Sequence, residues 1–241
     1  TLATAMAGFY AGVPVGHGFD FVNADILLRE LQVRDGELVS SGGARYRALY
    51  LGGTSSRMTL PVLQRLAALV EAGATVIGEA PVSSPALMDD PKAFAALVAR
   101  LWTGAPVSSV GRGRVIVARD VELGLATAGV KPDFHYRGMA DAEVLFVHRR
   151  SEDVEIYFVN NRQNRAESIE ARFRVTGRRP EIWRADTGTT EPVGYRVENG
   201  ETVIALEFGP EDSYFVVFRQ ADASGGATVT RTAYQEMQIG R

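Results

Sequence analysis

An α/β half built on a mostly parallel sheet, followed by a small antiparallel β-sandwich, is the architecture this sequence predicts. Three observations carry that prediction. In the first half, apolar runs of strand length alternate with amphipathic runs of helix length, the pattern of a parallel sheet with covering helices. Near Asp141 the alternation stops, and six strand-like runs follow one another at short spacing. The chain has 241 residues and is 46% hydrophobic, enough to bury a proper core in one large domain or two of ordinary size.

"NADILLREL" makes a short helix capped by Asn23, and "LQVRDGELV" a small hairpin turning at Asp35-Gly36. "RYRALYLG" (Arg45 to Gly52) is the first long strand candidate. In "TLPVLQRLAALVEAG", Leu60, Leu63, Leu66, Ala67 and Val70 fall at helical spacing, with Thr59 as N-cap, Pro61 in the first turn and Gly73 as the stop. "ATVIGE" (Ala74 to Glu79) completes a strand, helix, strand unit. "DDPKAFAALVARLW" is a second helix, capped by Asp90 with Pro91 at its first position. "RVIVA" (Arg114 to Ala118) is a third strand, and "DVELGLATAG" a short helix ending at Gly129. Together these predict a flavodoxin-like domain over residues 19–140, with residues 1–18 as a lead-in or the remnant of a preceding domain.

The sandwich is expected over residues 141–220. In "SIEARFRV", Ile169, Ala171, Phe173 and Val175 alternate with Glu170, Arg172 and Arg174, giving one buried face and one wet face. Asn199-Gly200 is a two-residue hairpin turn, and Asp186-Thr187-Gly188 marks another. Residues 221–241 read as linker and tail: "QADASGGAT" is a small-residue linker, and "TVTRTAYQEMQIGR" an extra strand or the opening of something further.

Several function classes drop out. A net charge of −3 without long single-sign runs gives no electrostatic case for a nucleic-acid or anionic-membrane partner. No apolar run approaches the roughly 18 residues that cross a bilayer. Thr1 begins neither with Met nor like a signal peptide, so the start reads as an expression boundary, a cleaved terminus or the interior of a longer protein. Cysteine is absent, which excludes disulfides, thiolate metal sites and a cysteine nucleophile. His17, His135 and His148 lack metal-ligand spacing, and no calcium loop motif exists, so no metal and no cofactor are expected. The glycines of "GHGFDF" and "GRGRVIVA" lack the dinucleotide fingerprint and read as turns. "LGGTSSRMT" reads as an ordinary βα turn, with a phosphate held on its free amides as the alternative. The single "DTG" lacks the second copy that an aspartic protease needs, and no complete G-x-S-x-G elbow is present.

Among 29 acidic residues, Glu79 has positional interest, at the carboxyl end of a predicted parallel strand where open α/β sheets place ligands. Asp20 and Asp25 come next, and for each a structural or solvated role is the competing reading. Trp102, Trp183, Tyr195 and Tyr214 are available to stack on sugar rings, against a default of core packing.

Taken in order, "GFDFVNADIL", "VRDGELV", "YRALYLGG", "MTLPVLQRLAALVEAGATVIGEAPVSSPAL", "IYFVNNR", "FRVTG", "PEIWRADTG" and "SYFVVFR" resemble the region after the catalytic barrel in the large α-L-rhamnosidase-like glycoside hydrolases, the family numbered one hundred and six. The resemblance runs from about Gly16 to Arg219. It implies a flavodoxin-like domain and a β-sandwich following a barrel of about 250 residues. The acid and base carboxylates of such enzymes belong to the barrel, so the resemblance places no catalytic residue in this chain. It implies a non-catalytic accessory portion of an enzyme acting on rhamnose-containing glycans, whose partners are the barrel and, through the parent enzyme, the carbohydrate. His17, Asp20 and Asn23, in the lead-in from the barrel, are the residues it brings nearest to a substrate. The residues fix no location; the resemblance is compatible with a periplasmic or extracellular one. Two alternatives stay open: a stand-alone carbohydrate-binding module, and a small-molecule enzyme using Glu79 in the sheet crevice.

Overall fold

The computed structural model describes residues 13–222 and 224–228. Most of the lead-in expected over residues 1–18, and the closing segment beyond residue 228, lie outside the described residues. Phe19–Lys131 belong to one compact unit, and Val15–Gly18 with the chain from Pro132 onward to a second.

The first unit opens with α1 (Ala24–Arg29), where the Asn23 side chain accepts a hydrogen bond from the Ile26 amide at 3.0 Å. Strands β1 (Gln32–Arg34) and β2 (Glu37–Val39) form a hairpin. Asp35 and Gly36 both have positive φ, at 53° and 79°, as the two central residues of a type I′ turn require. β3 (Arg45–Tyr46) pairs with β2 as a third antiparallel strand. After β4 (Leu49–Tyr50) comes α2 (Leu60–Ala72), which buries Leu63, Leu66, Ala67, Leu69 and Val70 on one face. Thr59 holds the N-cap position of α2, but its side chain makes no capping bond. The Leu60 amide donates instead to the Asp89 carboxylate at 2.6 Å, a cap supplied from 29 residues downstream.

β5 (Thr75–Ile77) is buried throughout. α3 (Pro91–Leu101) is capped by Asp90, and a hairpin follows of β6 (Val107–Val110) and β7 (Gly113–Ile116), turning at Gly111-Arg112. α4 (Val121–Thr127) is capped by Asp120, which accepts from the Leu123 amide at 2.8 Å.

The flavodoxin-like, mostly parallel sheet expected from the sequence does not form. The sheet runs β4-β5-β7-β6, and only the β4–β5 and β5–β7 pairs are parallel. The other strand pairs among the described residues are antiparallel, and the helices are few and short. The reasons are local. The "RYRALYLG" run splits, its Arg45–Tyr46 part joining β2 in a separate sheet and leaving two residues, Leu49–Tyr50, for the parallel one. After α3 the chain enters the sheet through β6 and doubles back at Gly111, whose φ of 60° suits a tight turn, so the last pairing is a hairpin and not a crossover. Alternating helix and strand patterns report element type; they do not report the direction of pairing.

Adjacent strand residues point to opposite faces. Val76 and Val115 therefore join a core with Leu63, Leu66, Val70, Phe94 and Leu101, while Ile77 and Ile116 join a smaller one with Val121 and Leu125.

The second unit contains β8 (Phe134–Arg137), β9 (Val144–Arg150), β10 (Glu155–Asn161), β11 (Glu167–Phe173), β12 (Arg178–Trp183), β13 (Thr190–Pro192), β14 (Tyr195–Glu198), β15 (Glu201–Phe208), β16 (Ser213–Ala221) and β17 (Gly226–Ala227). They make two five-stranded antiparallel sheets, β13-β12-β16-β10-β9 and β17-β14-β15-β11-β8. Inward residues of both, among them Tyr157, Val159, Phe173, Ile204, Val216 and Phe218, share one core. Asn199 and Gly200, at φ 54° and 83°, turn β14 into β15.

Candidate functional site

In the first unit the carboxyl ends of β4, β5 and β7 open into a crevice of about 970 Å³, lined among others by Tyr50, Gly52, Glu79, Trp102, Val117 and Arg119. Ligand sites favour this end of parallel strands because the chain leaves each strand there into a loop. Glu79 stands two residues after β5 and Arg119 three residues after β7, on strands that are direct neighbours.

Each of these two residues sits on backbone fixed by its surroundings. Gly78, just before Glu79, has φ 146°, and a Cβ there would lie 2.7 Å from the Leu51 Cβ, so this position requires glycine. The Gly78 amide donates to the Ile116 carbonyl at 2.9 Å, and its carbonyl accepts from the Trp102 indole Nε1 at 3.0 Å. On the other side, the Tyr50 hydroxyl donates to the Arg119 carbonyl at 2.6 Å. Burial, followed by the negative charges of Asp120 and Glu79, raises the Tyr50 phenol above its ordinary pKa and keeps that proton in place.

The Arg119 Nε donates to Glu79 Oε1 at 2.7 Å, and this contact raises the guanidinium further above its ordinary range. Glu79 Oε2 and the two terminal nitrogens of Arg119 make no other hydrogen bond among the described residues. Both side chains are largely exposed, 53% for Glu79 and 85% for Arg119, so their remaining donors and acceptors face the crevice and solvent. At the start of α2, directly after the "LGGTSSRMT" loop, a protein carboxylate takes the first helical amide. Asp89 occupies the start of α2, and the Leu60 amide and Ser84 hydroxyl that donate to it hold it below the usual carboxylate range.

Of the residues singled out in the sequence, Glu79 and Trp102 line this crevice, together with Gly52, Gly53 and Ser56 of the "LGGTSSRMT" loop. Asp20 accepts from the Tyr46 hydroxyl at 2.8 Å, and that hydrogen bond raises the phenol. Asn23 caps α1, and Asp25 faces Arg29 at 3.9 Å on the surface. His17 belongs to the second unit, beside Gly16, whose carbonyl accepts from the Asp133 amide at 2.7 Å. Sequence reasoning missed Arg119 and Tyr50. Arg119 follows "RVIVA" as Glu79 closes "ATVIGE", so the end-of-strand argument applied to basic as well as acidic residues finds it.

The second unit places its charges differently. His148 on β9 lies between two carboxylates, Nδ1 at 2.6 Å from Asp133 and Nε2 at 2.7 Å from Glu155, and it stacks on Tyr157 at 4.0 Å between ring centroids. Burial raises the Asp133 carboxyl, but the hydrogen bond and charge of His148, with Arg174 and the Tyr157 hydroxyl, outweigh it and hold Asp133 below the usual range. Tyr214 is buried under Arg184, Tyr195 is buried with its hydroxyl on Asp222, and Arg219 lies over the Trp183 ring. These aromatics are occupied by the protein itself.

Residues 2–197 match the profile of a glycoside hydrolase family described as alpha-L-rhamnosidase. The chain belongs to the alpha-L-rhamnosidase family. A solved rhamnosidase from Novosphingobium sp. PP1Y superposes on this rhamnosidase-family chain with a TM-score of 0.89 and 45% identity, over 92% of this chain and 22% of that one. A Formosa agariphila protein named as a beta-glucuronidase is 30% identical over 213 residues, which are 86% of this chain and 17% of that protein. The exo-carrageenase of Bacteroides ovatus shares the fold alone, with a TM-score of 0.53 at 10% identity over 89% of this chain and 26% of that one. This family member thus spans about a fifth of the length of its rhamnosidase and beta-glucuronidase relatives.

Proposed function

We propose that this chain is an accessory portion of a glycoside hydrolase acting on rhamnose-containing glycans, and that the reacting carboxylates belong to the remainder of the parent enzyme. The observation that carries the reading is the 45% identity and TM-score of 0.89 to a rhamnosidase of which this chain matches only 22%. The chemistry of the crevice supports it. Glycoside hydrolysis uses two carboxyl groups, about 5 to 10 Å apart, flanking the scissile bond. Glu79 is the one acidic residue in the crevice lining, and it is tied to Arg119. A single paired carboxylate cannot serve as both acid and nucleophile or base.

In this reading the chain's partners are the catalytic barrel of the same polypeptide and, through it, the glycan. Removing residues 19–228 from the complete parent enzyme is expected to lower both its thermal midpoint and its turnover of an aryl α-L-rhamnoside. An unchanged midpoint together with unchanged turnover would end the supporting role.

A further inference from the structure

An exposed ion pair contributes little to stability, because water competes for both partners and two long side chains lose freedom. Glu79 and Arg119 are nevertheless mounted on backbone held from several sides: a glycine that no other residue can replace without a clash, the indole of Trp102 on the Gly78 carbonyl, and the hydroxyl of Tyr50 on the Arg119 carbonyl. Rigid support under a pair with unused donors and acceptors is the arrangement of a recognition site, in which the first groups to meet a ligand are fixed by a second layer.

The chemistry of the pair selects among ligands. An anion approaching Arg119 meets the Glu79 carboxylate 2.7 Å from the guanidinium, and the lining contains no lysine to compensate. A neutral polyol suits both partners. Its hydroxyl oxygens accept from the terminal guanidinium nitrogens, and its hydroxyl protons are donated to Glu79 Oε2. Around the pair stand apolar surfaces, the half-buried ring of Tyr50 and the exposed aliphatic side chains of Val82 and Val117, with the buried Trp102 ring at the back of the crevice. A 6-deoxyhexose carries vicinal hydroxyls along one edge and a methyl group on another, matching a polar pair beside aliphatic walls.

We infer that the Glu79–Arg119 crevice binds a neutral glycosyl residue with vicinal hydroxyls, a 6-deoxyhexoside, on the exposed faces of this pair. The choice of sugar rests on the proposed function; the neutral polyol chemistry rests on the crevice. The sequence has two tryptophans, Trp102 in the crevice and Trp183 in the second unit, so their indole N–H resonances give a reporter and an internal control in one spectrum.

Titrating the purified chain with methyl α-L-rhamnopyranoside to high millimolar concentration is expected to move the Trp102 indole signal saturably and leave Trp183 in place. Arg119→Ala and Glu79→Gln should each weaken the apparent affinity by about tenfold, the value of one hydrogen bond to a charged group. Both residues are exposed, and an unshifted Trp183 signal in the variants confirms the fold of the second unit. A Trp102 signal that never moves, one that moves together with Trp183, or one that answers inorganic phosphate or methyl glucuronide but not the neutral rhamnoside would overturn the inference. None of these outcomes touches the accessory reading, which falls only with the behaviour of the parent enzyme.

Discussion

The two units spend the same residue types in opposite ways. In the first, a carboxylate and a guanidinium meet at the open ends of short parallel strands and leave most of their hydrogen-bonding capacity unused. In the second, a histidine is held between two carboxylates, Asp133 and Glu155, whose side chains are only 12% and 10% exposed, and it stacks on a tyrosine of the core. The difference separates charge that can meet a ligand from charge that locks two strands and a preceding loop together. Identical side-chain chemistry is read by what surrounds it: an acid is a candidate for recognition where its second oxygen is free and its backbone is fixed.

Substitutions test that contrast, with the largest effects expected in the closed unit. Phe173 is fully buried and contacts the rings of Phe134, Tyr157 and Phe218. Phe173→Ala should cost about 4 kcal/mol through lost burial and the cavity left behind. Denaturant unfolding followed by Trp183 fluorescence checks this, and a loss below about 1 kcal/mol would show that the sandwich core is not closed as described.

His148→Ala leaves Asp133 and Glu155 facing each other without the imidazole that bonds to both. About 2 to 3 kcal/mol should be lost, since removing one member of a largely buried set leaves the others uncompensated. The pH dependence has a definite sign. The Asp133 carboxyl is held below its ordinary value, so its stabilisation is complete above the unfolded pKa of about 3.9 and fades as pH falls through the lower folded value. Acid unfolding of the second unit should therefore become shallower in Asp133→Asn, as read by the Trp183 signal between neutral and strongly acidic pH. An acid limb identical to that of the parent chain would remove Asp133 from the account.

Smaller effects are expected in the open unit. Gly78→Ala puts a Cβ 2.7 Å from the Leu51 Cβ at a φ of 146°, which should lower stability by about 2 kcal/mol through strain. The change should appear at Trp102, whose indole donates to the Gly78 carbonyl. Arg119→Ala should leave the unfolding midpoint where it was, because the side chain is 85% exposed and carries no packing. A clear drop in midpoint would mean that the pair is structural after all, and the contrast between the units would collapse.

Much of this arrangement was legible residue by residue. The spacing of Leu60, Leu63, Leu66 and Val70 located α2, Asp35-Gly36 and Asn199-Gly200 located two hairpin turns, and the alternation through Phe173 located the inward face of β11. Strand direction was not legible, because periodicity carries no information about which neighbour a strand will meet; the flavodoxin-like sheet was lost at that point. β8 escaped notice because Phe134–Arg137 is short and half polar, and its pairing with β11 brings together residues far apart in sequence. The cap of α2 was hidden for the same reason: Asp89 reaches back to Leu60 across a loop, while the nearby Thr59 fits the local rule and makes no bond. At the candidate site, Glu79 stood out by its position at a strand end. Arg119 stands at a strand end in the same way, but that the two residues meet needed the knowledge that β5 and β7 are neighbours.

Under the proposed function, the residues of this chain recognise and support, and hydrolysis belongs to the remainder of the parent enzyme. The most direct test is the rate at which the purified 241-residue chain, freed of contaminating glycosidases, releases aglycone from an aryl α-L-rhamnoside. No release above buffer is expected. Enzyme-like turnover that disappears in Glu79→Gln would contradict that division and make the crevice an active site.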